Sequence, residues 1–183
     1  GLACAIDDSG LVCWDSDQYE YERELKILPK LSNPKSVSVG YTYGHVCALD
    51  ESAVVCWGND RYGQTDAPIL SNPTQVSVGA HHTCALDDTG VVCWGSNEYG
   101  QTTVPVMTNP TQISTGYTHS CALSDTGVVC WGDEADGRVD VPTLLNPTKL
   151  SSFGSANCAI DDTGVVCWGY YDFGEIDAPP LSN

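Results

Sequence analysis

One stretch constrains this chain more than any other: His82-Thr83-Cys84-Ala85-Leu86-Asp87-Asp88-Thr89-Gly90-Val91-Val92-Cys93-Trp94-Gly95, which recurs recognisably five times. The cysteine pairs open at Cys4, Cys47, Cys84, Cys121 and Cys158 and close at Cys13, Cys56, Cys93, Cys130 and Cys167, so all 10 cysteines are used. A tryptophan follows each second cysteine, at Trp14, Trp57, Trp94, Trp131 and Trp168. From Cys47 onward the interval is 37 residues, and the first is 43. A fixed period of this length marks a repeat architecture, whose units are too small to bury a core alone and must pack on one another. The 183 residues therefore read as one repeat domain, 1–183, with hairpins at 4–14, 47–57, 84–94, 121–131 and 158–168.

Each unit reads as three short strands. Asn72-Pro73-Thr74 is a turn signal, because proline fixes its own φ and pushes the residue before it into an extended conformation. Gln75-Val76-Ser77-Val78 alternates polar and apolar, the period of a strand with one buried face. Thr83–Asp87 and Val91–Gly95 flank Asp88-Thr89-Gly90, a hairpin signal. No segment shows helical spacing with caps; Tyr19–Leu28 has the only helix-like composition and reads as an enlarged loop. Five hairpins are present but only four preceding strands, Ser36–Val39, Gln75–Val78, Gln112–Thr115 and Lys149–Ser152. The first blade is thus expected to be incomplete, with a sheet edge that something must cover.

A Cys-x8-Cys pair across a two-residue loop at Asp88-Thr89 sets Cys84 opposite Cys93, within the range a disulfide tolerates. A glycine-bulge turn would shift the register by one and spoil this pairing. Five such disulfides suit an oxidising compartment; ten buried free thiols acting as small apolar side chains are the alternative. A zinc site is disfavoured, since no Cys-x2-Cys occurs.

Trp57-Gly58-Asn59-Asp60-Arg61-Tyr62-Gly63-Gln64-Thr65 and Trp94-Gly95-Ser96-Asn97-Glu98-Tyr99-Gly100-Gln101-Thr102 resemble the W-G-x-N-x-x-G-Q signature of regulator-of-chromosome-condensation repeats. Val78-Gly79 and His82-Thr83-Cys84-Ala85-Leu86 are similar to that family's G-x-x-H-x-x-A-L strand. The compact unit and the ending Gln101-Thr102-Thr103-Val104-Pro105 look more like its bacterial branch, which includes a propeller-type β-lactamase inhibitor. The resemblance implies an all-β chain, a β-propeller or propeller segment of five short three-stranded blades; full members usually carry roughly seven. The later linkers depart from the signature: Asp133-Glu134-Ala135-Asp136-Gly137-Arg138 and Tyr170-Tyr171-Asp172-Phe173-Gly174-Glu175 offer no counterpart to Gln64 and Gln101.

Seven lysines and arginines stand against 24 acids, a formal charge of −17. Such a surface repels phosphate backbones and anionic membranes but admits cationic proteins, cationic ligands and divalent metals. No apolar run approaches the roughly 20 residues of a membrane span, no signal peptide is visible, and a start at Gly1 reads as a processed or excised product. No catalytic residue is assigned. His45, His82 and His119 share one repeat position that accepts Ala156, so they read as structural. Acids at the hairpin turns (Asp7-Asp8, Asp50-Glu51, Asp87-Asp88, Asp125, Asp161-Asp162) read as solvated turn formers, with no cofactor or metal assigned and calcium left open.

Binding is expected in the loops. Tyr41, Tyr43, Arg61, Tyr117, Tyr170 and Tyr171 are the candidate contact residues, because tyrosines on a rigid scaffold give contact area at low entropic cost. Tyr62, Tyr99 and Phe173, at equivalent positions, are expected to pack between blades. The chain thus reads as a non-enzymatic module outside the cytoplasm (extracellular, periplasmic or cell-surface) that recognises a protein partner through its loop face. Further copies of itself, joined at an open blade edge, or a glycan bound as by a lectin, are the alternatives.

Overall fold

The computed structural model describes residues 2–8, 10–15, 28–41, 44–51 and 53–170. They form fourteen strands: β1 Leu2–Asp7, β2 Gly10–Asp15, β3 Pro34–Val39, β4 His45–Asp50, β5 Ala53–Gly58, β6 Gln75–Val78, β7 His82–Asp87, β8 Gly90–Gly95, β9 Gln112–Thr115, β10 His119–Ser124, β11 Gly127–Gly132, β12 Lys149–Phe153, β13 Ala156–Asp161 and β14 Gly164–Gly169. All pairing is antiparallel. Four sheets have three strands, in the orders β3-β4-β5, β6-β7-β8, β9-β10-β11 and β12-β13-β14, and β1-β2 is a two-stranded sheet. The first blade therefore has only its hairpin among the described residues. One 3-10 turn, Ala135–Gly137, is the sole helical segment among them. The expected loop Tyr19–Leu28 lies almost wholly outside the described residues.

The hairpins keep a clean two-residue register. Asp87 pairs with Gly90 and Cys84 with Cys93, so Asp88-Thr89 is the loop and no bulge displaces the cysteines. Gly90 takes φ 118°, which lets the chain leave the turn in register where a side chain would be strained. In the second hairpin Ala53 replaces that glycine, and Glu51 adopts φ 49° instead. All five expected disulfides are present, with Cα atoms 4.0–4.1 Å apart.

Cores lie between blades. On one face each hairpin offers its cystine and aliphatic residues, and the next blade meets them with its first strand, an alanine and its tryptophan. Thus Cys84, Leu86, Val91 and Cys93 pack on Ile113, Ala122 and Trp131, and Cys121, Leu123, Val128 and Cys130 pack on Leu150, Ala159 and Trp168. The first strands of successive blades, β3, β6, β9 and β12, also touch in order. The row curves: Gly154 of the fifth blade donates its N–H to the Tyr41 hydroxyl of the second at 2.5 Å. This is an all-β propeller arrangement of repeated blades. Its two outermost faces differ from the internal ones. Trp14 is 55% exposed where Trp57 is 9%, and Ile160 is 45% exposed where Leu49 is 4%.

Candidate protein-binding face

Backbone hydrogen bonds sort the loops onto two ends of the blades. At one end the loop between the first and second strand bonds the loop leaving the third: Ser96 N–H to His81 O at 2.8 Å, Asp133 N–H to Thr118 O at 3.0 Å and Tyr170 N–H to Ser155 O at 3.1 Å. At the other end each hairpin turn bonds the linker that enters its blade, as in Asp88 N–H to Ser71 O at 2.9 Å and Asp162 N–H to Leu145 O at 2.9 Å. The first end carries aromatic side chains and the second carries the paired acids.

Buried polar groups hold the aromatic end rigid. His45 Nε2 lies 2.6 Å from Thr83 Oγ1 of the next blade, and that hydroxyl donates to Gln64 O at 2.9 Å. Because the hydroxyl proton is committed, the imidazole must donate from Nε2. His82 bonds Ser120 and His119 bonds Asn157 in the same way. Burial, reinforced by neighbouring histidines, lowers His45 to about 4 and His82 to about 3, and burial also lowers His119. These imidazoles are neutral, fully buried staples between blades, and their Nδ1 atoms have no hydrogen-bond partner.

Gln64 and Gln101 anchor the loops leaving β5 and β8. Their Oε1 atoms accept Tyr62 N–H at 2.8 Å and Tyr99 N–H at 2.9 Å, and their carbonyls accept the indole N–H of Trp94 and Trp131 at 3.0 Å. The expectation that the next linker has no counterpart is corrected. Arg138 is buried at that position, with ion pairs to Asp133 at 2.9 Å and Asp136 at 2.7 Å. Its carbonyl accepts Asn157 Nδ2 at 2.7 Å, and Trp168 Nε1 is left without a partner. A backbone carbonyl does the work, so the side chain at that position can vary.

The candidate contact residues divide into groups. Tyr41 and Tyr117 meet edge-on, ring centroids 4.2 Å apart; Tyr117 is 42% exposed, whereas the Tyr41 hydroxyl is engaged by Gly154. Arg61 lies 5.6 Å from the centroid of Tyr62, whose ring is 5.0 Å from that of His81. Tyr170 is half-exposed on the fifth blade. Tyr43 and Tyr171 lie outside the described residues, as does Phe173. The expectation that Tyr62 and Tyr99 pack between blades holds only in part: both are half-exposed, and the Tyr62 ring lies against His81 of the next blade. The inward anchor of those loops is Gln64 or Gln101, a glutamine beyond the tyrosine, and its recurrence in both signatures was the available signal.

At the acidic end the carboxylates are engaged rather than simply solvated. Asp87 accepts Ser71 N–H at 2.8 Å and both Thr89 N–H and Thr89 Oγ1–H at 2.7 Å. Burial pushes its pKa up, but these bonds outweigh that and leave it lowered; for Asp161 the Thr163 hydroxyl and Leu145 N–H lower it likewise. Asn72, Asn109 and Asn146 donate at 2.6 Å to Asp88, Asp125 and Asp162. Among the described residues no three histidine, cysteine or acidic side chains converge as metal ligands.

Comparison with known proteins agrees with this geometry. Residues 74–101 and 111–138 match the model of the regulator of chromosome condensation (RCC1) repeat. Part of the receptor-kinase CR4 ectodomain of Physcomitrella patens superposes with a TM-score of 0.76 at 24% identity, over 93% of this chain and 49% of that one. The CRINKLY WD40 ectodomain of the Arabidopsis thaliana receptor kinase ACR4 gives 0.71 at 23%, over 93% and 63%. Yeast RCC1 (Prp20), solved bound to Kap60, gives 0.74 at 18%, over 96% and 55%. The chain spans about half to two-thirds of the length of these structures, and their likeness establishes the fold alone. No curated protein sequence matches.

Proposed function

We propose that residues 1–183 act as one non-catalytic protein-binding module, working outside the reducing cytoplasm and contacting its partner through the aromatic loop end. The observation that carries this reading is the set of exposed tyrosines, Tyr62, Tyr99, Tyr117 and Tyr170, on loops whose backbones are fixed by buried glutamines or by backbone bonds. Preorganised aromatic loops lose little entropy on binding. Five disulfides and the likeness to receptor ectodomains favour the location, and the resemblance to the bacterial inhibitor branch favours recognition by loops. A photo-crosslinker at Tyr99 should capture one discrete protein, whereas the same group at Asp162, exposed on the opposite end of the fifth blade, should not. Equal capture from both positions would dismiss the reading.

A second reading, assembly with further copies, is favoured by the half-exposed Trp14 and Ile160 faces, which are repeat equivalents of the two sides of every internal blade contact. Light scattering decides it: a monodisperse monomer at high concentration excludes assembly.

A further inference from the structure

The acidic end carries a second surface that the proposal above does not use. Beside the hairpin turn of the third blade, the linker entering the fourth encloses a groove of about 500 Å³, with Val91, Val104, Met107 and Pro110 along it and Asp88 at its lip. Val106, in that linker, and its repeat equivalent Ile69 stand fully exposed. The turns bond these linkers, Asp88 N–H to Ser71 O and Asp125 N–H to Thr108 O, so the rim runs Ile69, Asp88, Val106, Asp125. Aliphatic and carboxylate side chains alternate along it. The two carboxylates are held in place by Asn72 and Asn109 at 2.6 Å. Residues 62–137 contain no lysine or arginine; a cation at this end, Lys149, lines the adjoining hollow with Thr111 and Leu123.

We propose that this rim binds an extended protein segment in which lysine or arginine alternates with aliphatic residues. The cations would meet Asp88 and Asp125, and the aliphatic side chains would cover Ile69 and Val106 and enter the groove. Charge complementarity selects this occupant, because a chain of net charge −17 repels acidic and phosphorylated segments. Uncovered aliphatic side chains set in a carboxylate rim distinguish it from a purely polar polycation.

The test is a fluorescence-anisotropy titration of the intact chain at about 0.15 M salt with three labelled octapeptides: lysine alternating with valine, lysine with serine, and glutamate with valine. The lysine–valine peptide should bind about tenfold tighter than either control. Val106→Ser and Asp88→Asn should each weaken it about tenfold, while Tyr117→Ser on the aromatic end should leave it unchanged. Val106 is fully exposed, so thermal unfolding of Val106→Ser should match the parent chain, and Asp88→Asn keeps an oxygen for Asn72 to bond, so its unfolding should change little. Equal binding of the lysine–serine peptide would reduce the effect to diffuse charge attraction and overturn the proposal. So would the absence of binding, or loss on Tyr117→Ser with Val106→Ser silent. The Tyr99 crosslink reads the opposite end, so failure of the rim proposal leaves the aromatic-end reading standing.

Discussion

At the residue scale, the buried histidines make stability depend on pH with a defined sign. His45 and His82 titrate near 4 and 3 when folded, below the 6.5 they have when unfolded. Between those values the unfolded chain binds more protons, so stability is complete above about pH 6.5 and falls as pH drops towards 4. Each imidazole contributes a slope of about 1.4 kcal/mol per pH unit over that window. Urea midpoints at neutral pH and near pH 4.5 should differ accordingly, and His82→Gln should flatten the difference; an unchanged slope would refute the staple. Close packing around the rings gives a second expectation. A Cβ at Gly116 would fall 2.0 Å from His119 Cε1, so Gly116→Ala should destabilise by about 1–3 kcal/mol in thermal unfolding. Gly100→Ala has open space around it, and only its positive φ penalises the change.

At the element scale, the hairpin and its linker behave as one clasped unit. Asn72 combines φ 50° with a side-chain bond to Asp88. Asn72→Gly keeps the conformation and loses the bond, whereas Asn72→Ala loses both. Calorimetry should show a smaller loss for the glycine variant, with alanine costing roughly 1–2 kcal/mol more. Converting Cys84 and Cys93 together to serine should lower stability by about 2–3 kcal/mol on the chain-entropy model, read from urea midpoints. Much of this scale was legible in the sequence. Strand alternation, the Asp-Thr-Gly turn and the cysteine spacing are local signals, and a two-residue loop fixes register without help from distant residues. The exposed Tyr62 and Tyr99 were not legible, because whether a loop side chain points inward depends on the neighbouring blade. The same holds for Arg138, whose role comes from its backbone carbonyl rather than its side chain.

At the scale of the whole molecule, identical pieces have different energetic weight according to their place in the row. Trp131 is buried between blades while Trp14 is half-exposed. Trp131→Ala should cost about 3–5 kcal/mol, and Trp14→Ala well under 1 kcal/mol, in the same denaturation experiment. Comparable losses would mean that the first blade's outer face is covered in solution. The period, the strands and the pairing of the cysteines across each hairpin were legible in the sequence, because repeat spacing and alternation are written into every unit; the propeller-type stacking came from the family resemblance of the signatures. Only the tertiary structure decided which tyrosines face solvent, that Tyr41 of the second blade reaches Gly154 of the fifth, and that acids and aliphatics alternate along one rim. Those relations join residues of different blades, and they arise from the curvature with which the blades pack, which no single repeat encodes.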